Sequence, residues 1–76
     1  MLKQMDDRAD LLRRAFAAYF RAGGTDPPGA TNSGVTRRKG LLYVVLRSAH
    51  RTLAVYRVKN DGALRRLRRW PEELNG

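Results

Sequence analysis

The stretch GLLYVVLRSAHRTLAVYRVKNDG, residues 40–62, decides the fold class of this chain. It holds two runs of apolar, β-branched and aromatic residues, 40–47 and 51–59, which are short for helices and therefore predict two β-strands. The residues between the runs predict a tight connection. Asp61-Gly62 is a hairpin signal, because both residues tolerate the positive φ angles of a tight turn. The stretch thus predicts an antiparallel meander that continues into a third strand over residues 63–70.

The third strand has an alternative. Leu64 and Leu67 are three residues apart, a spacing that puts them on one face of a helix but on opposite faces of a strand. The hairpin signal before them favours the strand, and a helix over residues 63–70 stays open. Pro71 and the two glutamates after it are typical of the first turn of a short helix, here in a C-terminal tail over residues 71–76.

The N-terminal part predicts an amphipathic helix over residues 6–22. Its apolar residues recur at three- and four-residue spacing and form one stripe, which consists of Met5, Ala9, Leu12, Phe16, Tyr19 and Phe20, widened by Leu11 and Ala15. Gly23 and Gly24 end the helix, because glycine accepts the left-handed conformation of a helix cap. We expect Leu12, Phe16 and Phe20 to pack on the sheet. A helix–helix contact in a dimer is the alternative.

Residues 23–38 contain two adjacent prolines, several glycines and small polar residues, and they predict a long flexible loop. The sequence therefore predicts a single α+β domain over residues 1–76. In this domain an N-terminal amphipathic helix packs on a three-stranded antiparallel β-meander over about residues 40–70, and the flexible loop lies between them.

The predicted sheet is apolar at the centre of both faces. A two-residue turn at positions 49–50 places Val44 opposite Val55. A second two-residue turn at 61–62 puts Arg57, Arg66 and Trp70 on one face. If residue 60 joins the second turn, the register of the third strand shifts by one residue. One helix can cover only one face of such a sheet. A second subunit or a ligand is expected on the other face, or, if the chain is a monomer, the folded-back loop or the C-terminal tail. Self-association is the favoured outcome, because the chain is short and has no cysteine for a disulfide.

The charge of the chain is strongly basic and unevenly placed. Sixteen lysines and arginines against seven acidic residues give a net charge of +9. Residues 37–69 contain eleven of the bases and a single acid, Asp61. The positive electrostatic field of such a segment attracts polyanions, of which nucleic acid is the commonest. Thirteen of the sixteen bases are arginine, and high-GC coding alone could produce that bias, so their concentration in one region is the stronger signal.

We expect a non-enzymatic nucleic-acid-binding protein that uses an arginine-rich face of the sheet. Its phosphate contacts are assigned to Arg57, Lys59, Arg65, Arg66, Arg68 and Arg69, with a second basic cluster at Arg37, Arg38 and Lys39. Trp70, Tyr43 and Tyr56 are candidates for stacking on unpaired bases. For Trp70 a packing role is favoured over stacking, since aromatic residues are most often buried. The sequence does not distinguish DNA from RNA.

The alternative function is a protein–protein interaction module, either a homodimer or a domain that docks on an acidic partner. In that case the arginines are the solvated side of an edge strand, where charge prevents unwanted strand pairing. No RNP, KH, zinc-finger or helix-turn-helix pattern is present to decide between the two functions.

Other chemistry has little support in the sequence. His50 is the only histidine and has no cysteine or second histidine to share a metal, and Asp6, Asp7 and Asp10 match no calcium-loop spacing. No catalytic set, metal or cofactor is expected. No signal peptide and no apolar run of membrane-spanning length is found, so the chain is expected to be cytoplasmic and away from membranes.

Overall fold

The computed structural model of the protein describes residues 3–29 and 31–74. The elements of these parts follow in the order α1 (Lys3–Arg21), β1 (Gly34–Arg38), β2 (Leu41–Arg47), β3 (Thr52–Val58), β4 (Leu64–Arg66) and a short 3-10 helix (Glu72–Leu74). The strands form one antiparallel sheet in the order β1-β2-β3-β4, so each strand pairs with its neighbour in sequence. The predicted α+β class with an antiparallel sheet is confirmed, and the sheet has four strands where three were predicted.

The additional strand, β1, lies within the segment predicted as a flexible loop. A two-residue hairpin turn, Lys39-Gly40, joins β1 to β2, and both turn residues have positive φ, 51° and 80°. The sequence signal was weak because asparagine or aspartate, not lysine, usually precedes the glycine of such a turn. The loop before β1 is also held in place, since the Gly29 amide donates to the Arg47 carbonyl at 2.8 Å.

The predicted glycine cap of α1 is present. Gly23 has a φ of 98°, and its amide donates to the Phe20 carbonyl while the Gly24 amide donates to the Tyr19 carbonyl. These two hydrogen bonds form a Schellman motif, which satisfies carbonyls at the helix end. Gly24 is also required sterically, because a Cβ atom there would overlap the Tyr19 ring.

The buried face of α1 is centred on other residues than predicted. Leu11, Ala15 and Tyr19, spaced four apart, are buried against the sheet, and Leu12 and Phe16 pack beside them. Phe20 is 49% exposed, so the prediction that it packs on the sheet was wrong. Phe20 instead contacts the Tyr19 ring edge to face, with 5.3 Å between the ring centroids.

The register between β2 and β3 differs by one residue from the predicted register. Val44 lies opposite Tyr56 and Val45 opposite Val55, with an irregularity between Leu46 and Arg47. The cause is a bulge at the end of β2 and not the turn: Arg47 still lies opposite Thr52, but Leu46 lies opposite Ala54, so Leu53 is an extra residue in β3. The turn is the predicted one, with the amide of Ser48 donating to the carbonyl of Arg51 at 2.9 Å. The Ser48 side chain stabilises this turn by accepting from the amides of His50 and Arg51. The shift exchanges the faces of the β3 residues from Ala54 onward relative to β2.

The β3–β4 connection includes one residue more than the predicted two-residue turn. Residues 60–62 form the turn, closed by a 2.8 Å hydrogen bond from the Lys59 amide to the Ala63 carbonyl, and Gly62 has a φ of 88°. A three-residue hairpin loop with glycine in the left-handed conformation is a common type. β4 ends at Arg66, so only part of the predicted third strand is strand and the helical alternative for residues 63–70 is wrong.

The sheet carries one hydrophobic cluster on each face. On the first face, α1 covers the sheet residues Val44, Leu46, Ala54 and Tyr56. On the second face, the C-terminal tail covers Tyr43, Val45 and Val55 with Leu74, and Leu67 and Trp70 pack at the side. We call these the helix face and the tail face. Of the alternatives that the sequence left open for this face, a second subunit, a ligand, the loop or the tail, it is the tail that provides the cover.

Hydrogen bonds hold the tail on its face. The carbonyl of Leu74 accepts from Nη2 of Arg47 at 2.8 Å and from Oγ1 of Thr52 at 3.2 Å. The Leu74 side chain is only 1% exposed. Among the described residues, no helix combines the length and the apolar character that crossing a bilayer would require.

The first prediction concerns the tail as a structural element. Leu74→Ala should lower the free energy of unfolding by about 2–3 kcal/mol, because it removes a buried side chain from the tail-face cluster. Chemical denaturation monitored by circular dichroism measures the change. Leu41→Ala is the control, since Leu41 is 37% exposed and its loss should cost less than about 1 kcal/mol. Equal stability of the Leu74→Ala variant and the native chain would show that the tail does not cover this face.

The second prediction concerns the β1–β2 turn. Lys39→Asn should stabilise the fold by about 0.5–1 kcal/mol, because asparagine tolerates the positive φ that strains a lysine. Lys39→Gln is the control, since it removes the same charge without the preference for this conformation. Thermal denaturation of both variants distinguishes the two effects, and equal stabilities would contradict the conformational explanation.

Candidate functional site

The tail face carries a row of residues that crosses all four strands. Thr36 of β1 lies opposite Tyr43, Tyr43 opposite Arg57, and Arg57 opposite Arg65 of β4. Both arginines are exposed. Arg38, two residues along β1 from Thr36, is also exposed and is on the same face, because side chains alternate along a strand. The tail face therefore places two arginines directly side by side and a third near the opposite edge of the sheet.

Two further arginines follow β4, between two residues that pack on the tail face. Leu67 and Trp70 pack on the tail-face cluster, and Arg68 and Arg69 between them are exposed. The amide of Leu67 donates to the carbonyl of Val55 at 3.0 Å, which keeps this segment against the sheet after β4 has ended. We call Arg38, Arg57, Arg65, Arg68 and Arg69 the basic patch.

The structure separates the other predicted phosphate-binding residues from this patch. Arg66 lies on the helix face opposite Tyr56, so its predicted place beside Arg57 was wrong, because residues 60–62 form a three-residue turn between β3 and β4. Arg37 lies opposite Leu42 on the helix face. Lys59 and Arg37 line a hollow of about 400 Å³ between α1 and the sheet. Lys39 is in the β1–β2 turn.

The ion pairs found among the described residues leave the basic patch unneutralised. Asp10 pairs with Arg13 and Arg14 on α1, and Asp26 pairs with Arg51 at the β2–β3 turn. The hydrogen bond from Arg13, with the charges of both arginines, holds the pKa of the Asp10 carboxyl below its usual value. None of these pairs includes a residue of the basic patch. These ion pairs lie on α1, on the other side of the sheet, and at the end of the sheet.

The three aromatic residues predicted as candidates for stacking are buried or half-buried in the hydrophobic clusters. Tyr43 is 7% exposed within the tail-face cluster, and Tyr56 is 3% exposed under α1. Burial raises the pKa of the Tyr56 hydroxyl, and the charge of Arg66 lowers it in part. Trp70 is half-buried and packs at the side of the tail-face cluster. The packing role favoured for Trp70 is therefore seen, and the rings of Tyr43 and Tyr56 are not available to a base in this fold.

Arg47 has a structural function that the sequence did not reveal. Its backbone amide donates to Oγ of Ser33 at 3.0 Å, its carbonyl accepts from Gly29, and its guanidinium donates to Leu74. It therefore connects the loop before β1, the sheet and the C-terminal tail. Its position at the end of an apolar run gave no signal of this, because each of its partners is at least 14 residues away in sequence.

The remaining polar features do not form a catalytic or metal-binding set. His50 is exposed at the β2–β3 turn. It borders a hollow of about 620 Å³ whose lining is mostly turn and loop residues, including Asn32, Ser48 and Arg51. Within residues 3–29 and 31–74, no three histidine, aspartate or glutamate side chains come together in a way that could hold a metal ion. Asp6 and Asp7 have side chains outside the part that is described.

The comparisons with known proteins found no relative. No protein-family model, no curated protein and no solved structure matches this chain. Its function is therefore inferred from the charge and geometry of the site alone.

Proposed function

We propose that this protein binds nucleic acid through phosphate contacts made by the basic patch on the tail face. The observation that carries the proposal is the cross-strand pair of Arg57 and Arg65. Both side chains are exposed, and no ion pair among the described residues neutralises either of them. Like charges directly opposite each other destabilise a sheet. A phosphate between the two guanidinium groups would replace this repulsion by two charge-assisted hydrogen bonds.

The other arginines of the basic patch extend the surface formed by Arg57 and Arg65. Arg38 lies towards the far edge of the same face, and Arg68 and Arg69 continue it beyond β4. Arg37, Lys39, Lys59 and Arg66 lie elsewhere and contribute to the positive field that draws a polyanion towards the protein. Several phosphates in a row, as in a nucleic-acid backbone, suit such an extended surface better than a single small anion does.

A protein–protein interface has less support in this fold. The apolar face that suggested it is occupied by the C-terminal tail, with Leu74 buried on Val45 and Val55. The large apolar side chains that stay exposed among the described residues, Phe20 and Leu41, are on α1 and at the start of β2. A docking surface for a protein usually needs one continuous apolar patch. An acidic protein partner would have to use the basic patch, and the binding experiment below distinguishes it from nucleic acid.

The third prediction tests the repulsion within the basic patch. At low ionic strength, Arg65→Gln should raise the free energy of unfolding by about 0.2–1 kcal/mol, because it removes one of two like charges that face each other across β3 and β4. The gain should disappear at high salt, where the repulsion is screened. Arg68→Gln is the matched control, since it removes the same charge at an exposed position after β4. Destabilisation by Arg65→Gln at low salt would contradict the repulsion.

The fourth prediction tests binding itself. The affinity for mixed-sequence nucleic acid should fall linearly with salt on a log-log scale, with a slope near −0.9 for each phosphate contacted on a duplex. Replacing both Arg57 and Arg65 with Gln should reduce the magnitude of that slope by about 1–2. Fluorescence anisotropy with a labelled oligonucleotide over a series of KCl concentrations measures it.

The control for this experiment is the double variant Arg13→Gln/Arg21→Gln. It has the same net charge, two units below the +9 of the native chain, but both substitutions are on α1, on the other side of the sheet. We expect it to keep the native slope. Equal losses in the two double variants would mean that binding depends on net charge alone. No binding at moderate salt would reject the proposed function and make the arginines a solvated strand face or a protein contact.

A further inference from the structure

We infer that the nucleic acid bound by the basic patch is double-helical and is held by its backbone without preference for sequence. This inference rests on the proposed function and names its substrate class. It follows from three observations: the position of the aromatic rings, the width over which the basic side chains are spread, and the absence of any element of the patch that could enter a groove.

Single strands are bound by proteins that offer rings on which unpaired bases can stack. The tail face has two candidate rings, Tyr43 and Trp70. Tyr43 is in the same cross-strand row as Arg57, but its ring is covered by the hydrophobic cluster around Leu74. The ring of Tyr56 is on the opposite face, under α1. The arginines of the patch therefore surround a surface on which no aromatic ring is open for stacking.

Trp70 could stack on a base only by leaving its place beside the tail-face cluster. It lies between Leu67 and Leu74, and both of these side chains pack on that cluster. Leu74 is in addition held by hydrogen bonds from Arg47 and Thr52 to its carbonyl. Moving the Trp70 ring would disturb these contacts, which makes Trp70 a support for Arg68 and Arg69 rather than a platform.

The basic residues of the patch are spread over a width that suits a duplex. Arg38 is on β1 and Arg65 is on β4, at the two edges of the four-stranded sheet. Adjacent strands lie about 4.8 Å apart, so the two edges are separated by about 14 Å. The major groove of B-DNA is about 12 Å wide. Basic side chains at the two edges can therefore reach phosphates on both sides of a groove.

The described parts of the patch give no means of reading base edges. The tail face presents a sheet surface, and its cover is the tail with its short 3-10 helix. Base-specific contacts in the major groove need a helix or a two-stranded ribbon that projects into it. Phosphate contacts alone position a protein on a duplex without conveying sequence. The expected ligand is therefore any duplex, and the experiment compares the DNA and RNA forms.

The fifth prediction compares four ligands of equal length and mixed sequence: duplex DNA, duplex RNA, single-stranded DNA and single-stranded RNA. The native chain should bind at least one duplex several-fold more tightly than either single strand at the same salt concentration. It should bind a second duplex of unrelated sequence with equal affinity. The Arg57→Gln/Arg65→Gln variant should lose affinity for the duplex, and the Arg13→Gln/Arg21→Gln control should not.

The fluorescence of Trp70, the only tryptophan of the chain, supplies an independent measurement in the same titrations. Stacking on a base quenches tryptophan emission, and phosphate contacts do not require such a contact, so saturation with duplex should leave the emission nearly unchanged. Tighter binding of a single strand, or strong quenching at saturation, would overturn the duplex assignment and leave the proposed function standing. Failure of all four ligands to bind would overturn both.

Discussion

The structure depends on the need to cover a two-stranded core that is apolar on both faces. β2 and β3 contribute Val44, Leu46, Ala54 and Tyr56 to the helix face and Tyr43, Val45 and Val55 to the tail face. Neither face can be left in water without losing the hydrophobic free energy of folding, and a chain of 76 residues has few elements to spare. α1 is the only long helix of the described chain and covers one face. The other face is covered by the last residues of the tail.

The same constraint determines where the charges lie. The centres of β2 and β3 must be apolar, so the bases of the sheet are confined to the edge strands, the strand ends and the connections. Arg38 and Arg65 are on the edge strands, and Arg57 is next to the last residue of β3. Charged edge strands also discourage pairing with other chains. The basic patch is therefore compatible with a purely protective role as well as with binding, and what favours binding is the direct pairing of Arg57 with Arg65 at an exposed position.

The tail links the core to the patch. Leu67, Trp70 and Leu74 pack on one cluster, and the segment between the first two carries Arg68 and Arg69. Arg47 connects the end of the tail to the sheet and, through its backbone, to the loop before β1. Packing and charge are thus arranged in alternation along residues 65–74, and the stability of the tail and the position of the patch are expected to change together.

The sequence by itself determined the elements that depend on local pattern. The spacing of apolar residues indicates the helix and the two central strands, and the conformational freedom of particular residues indicates the glycine cap and the Asp61-Gly62 turn. The excess of basic residues after residue 36 follows from counting. The tertiary structure alone decided the register, the strand β1 and the cover of the second face. A bulge between the pairs Arg47–Thr52 and Leu46–Ala54 moved Arg57 to the face of Tyr43. The three-residue turn at positions 60–62 moved Arg66 to the face of Tyr56. A tail with one leucine became a layer of the core because its anchors, Arg47 and Thr52, are 27 and 22 residues away. Such contacts have no local signature, because they arise only when distant segments meet across a packed sheet.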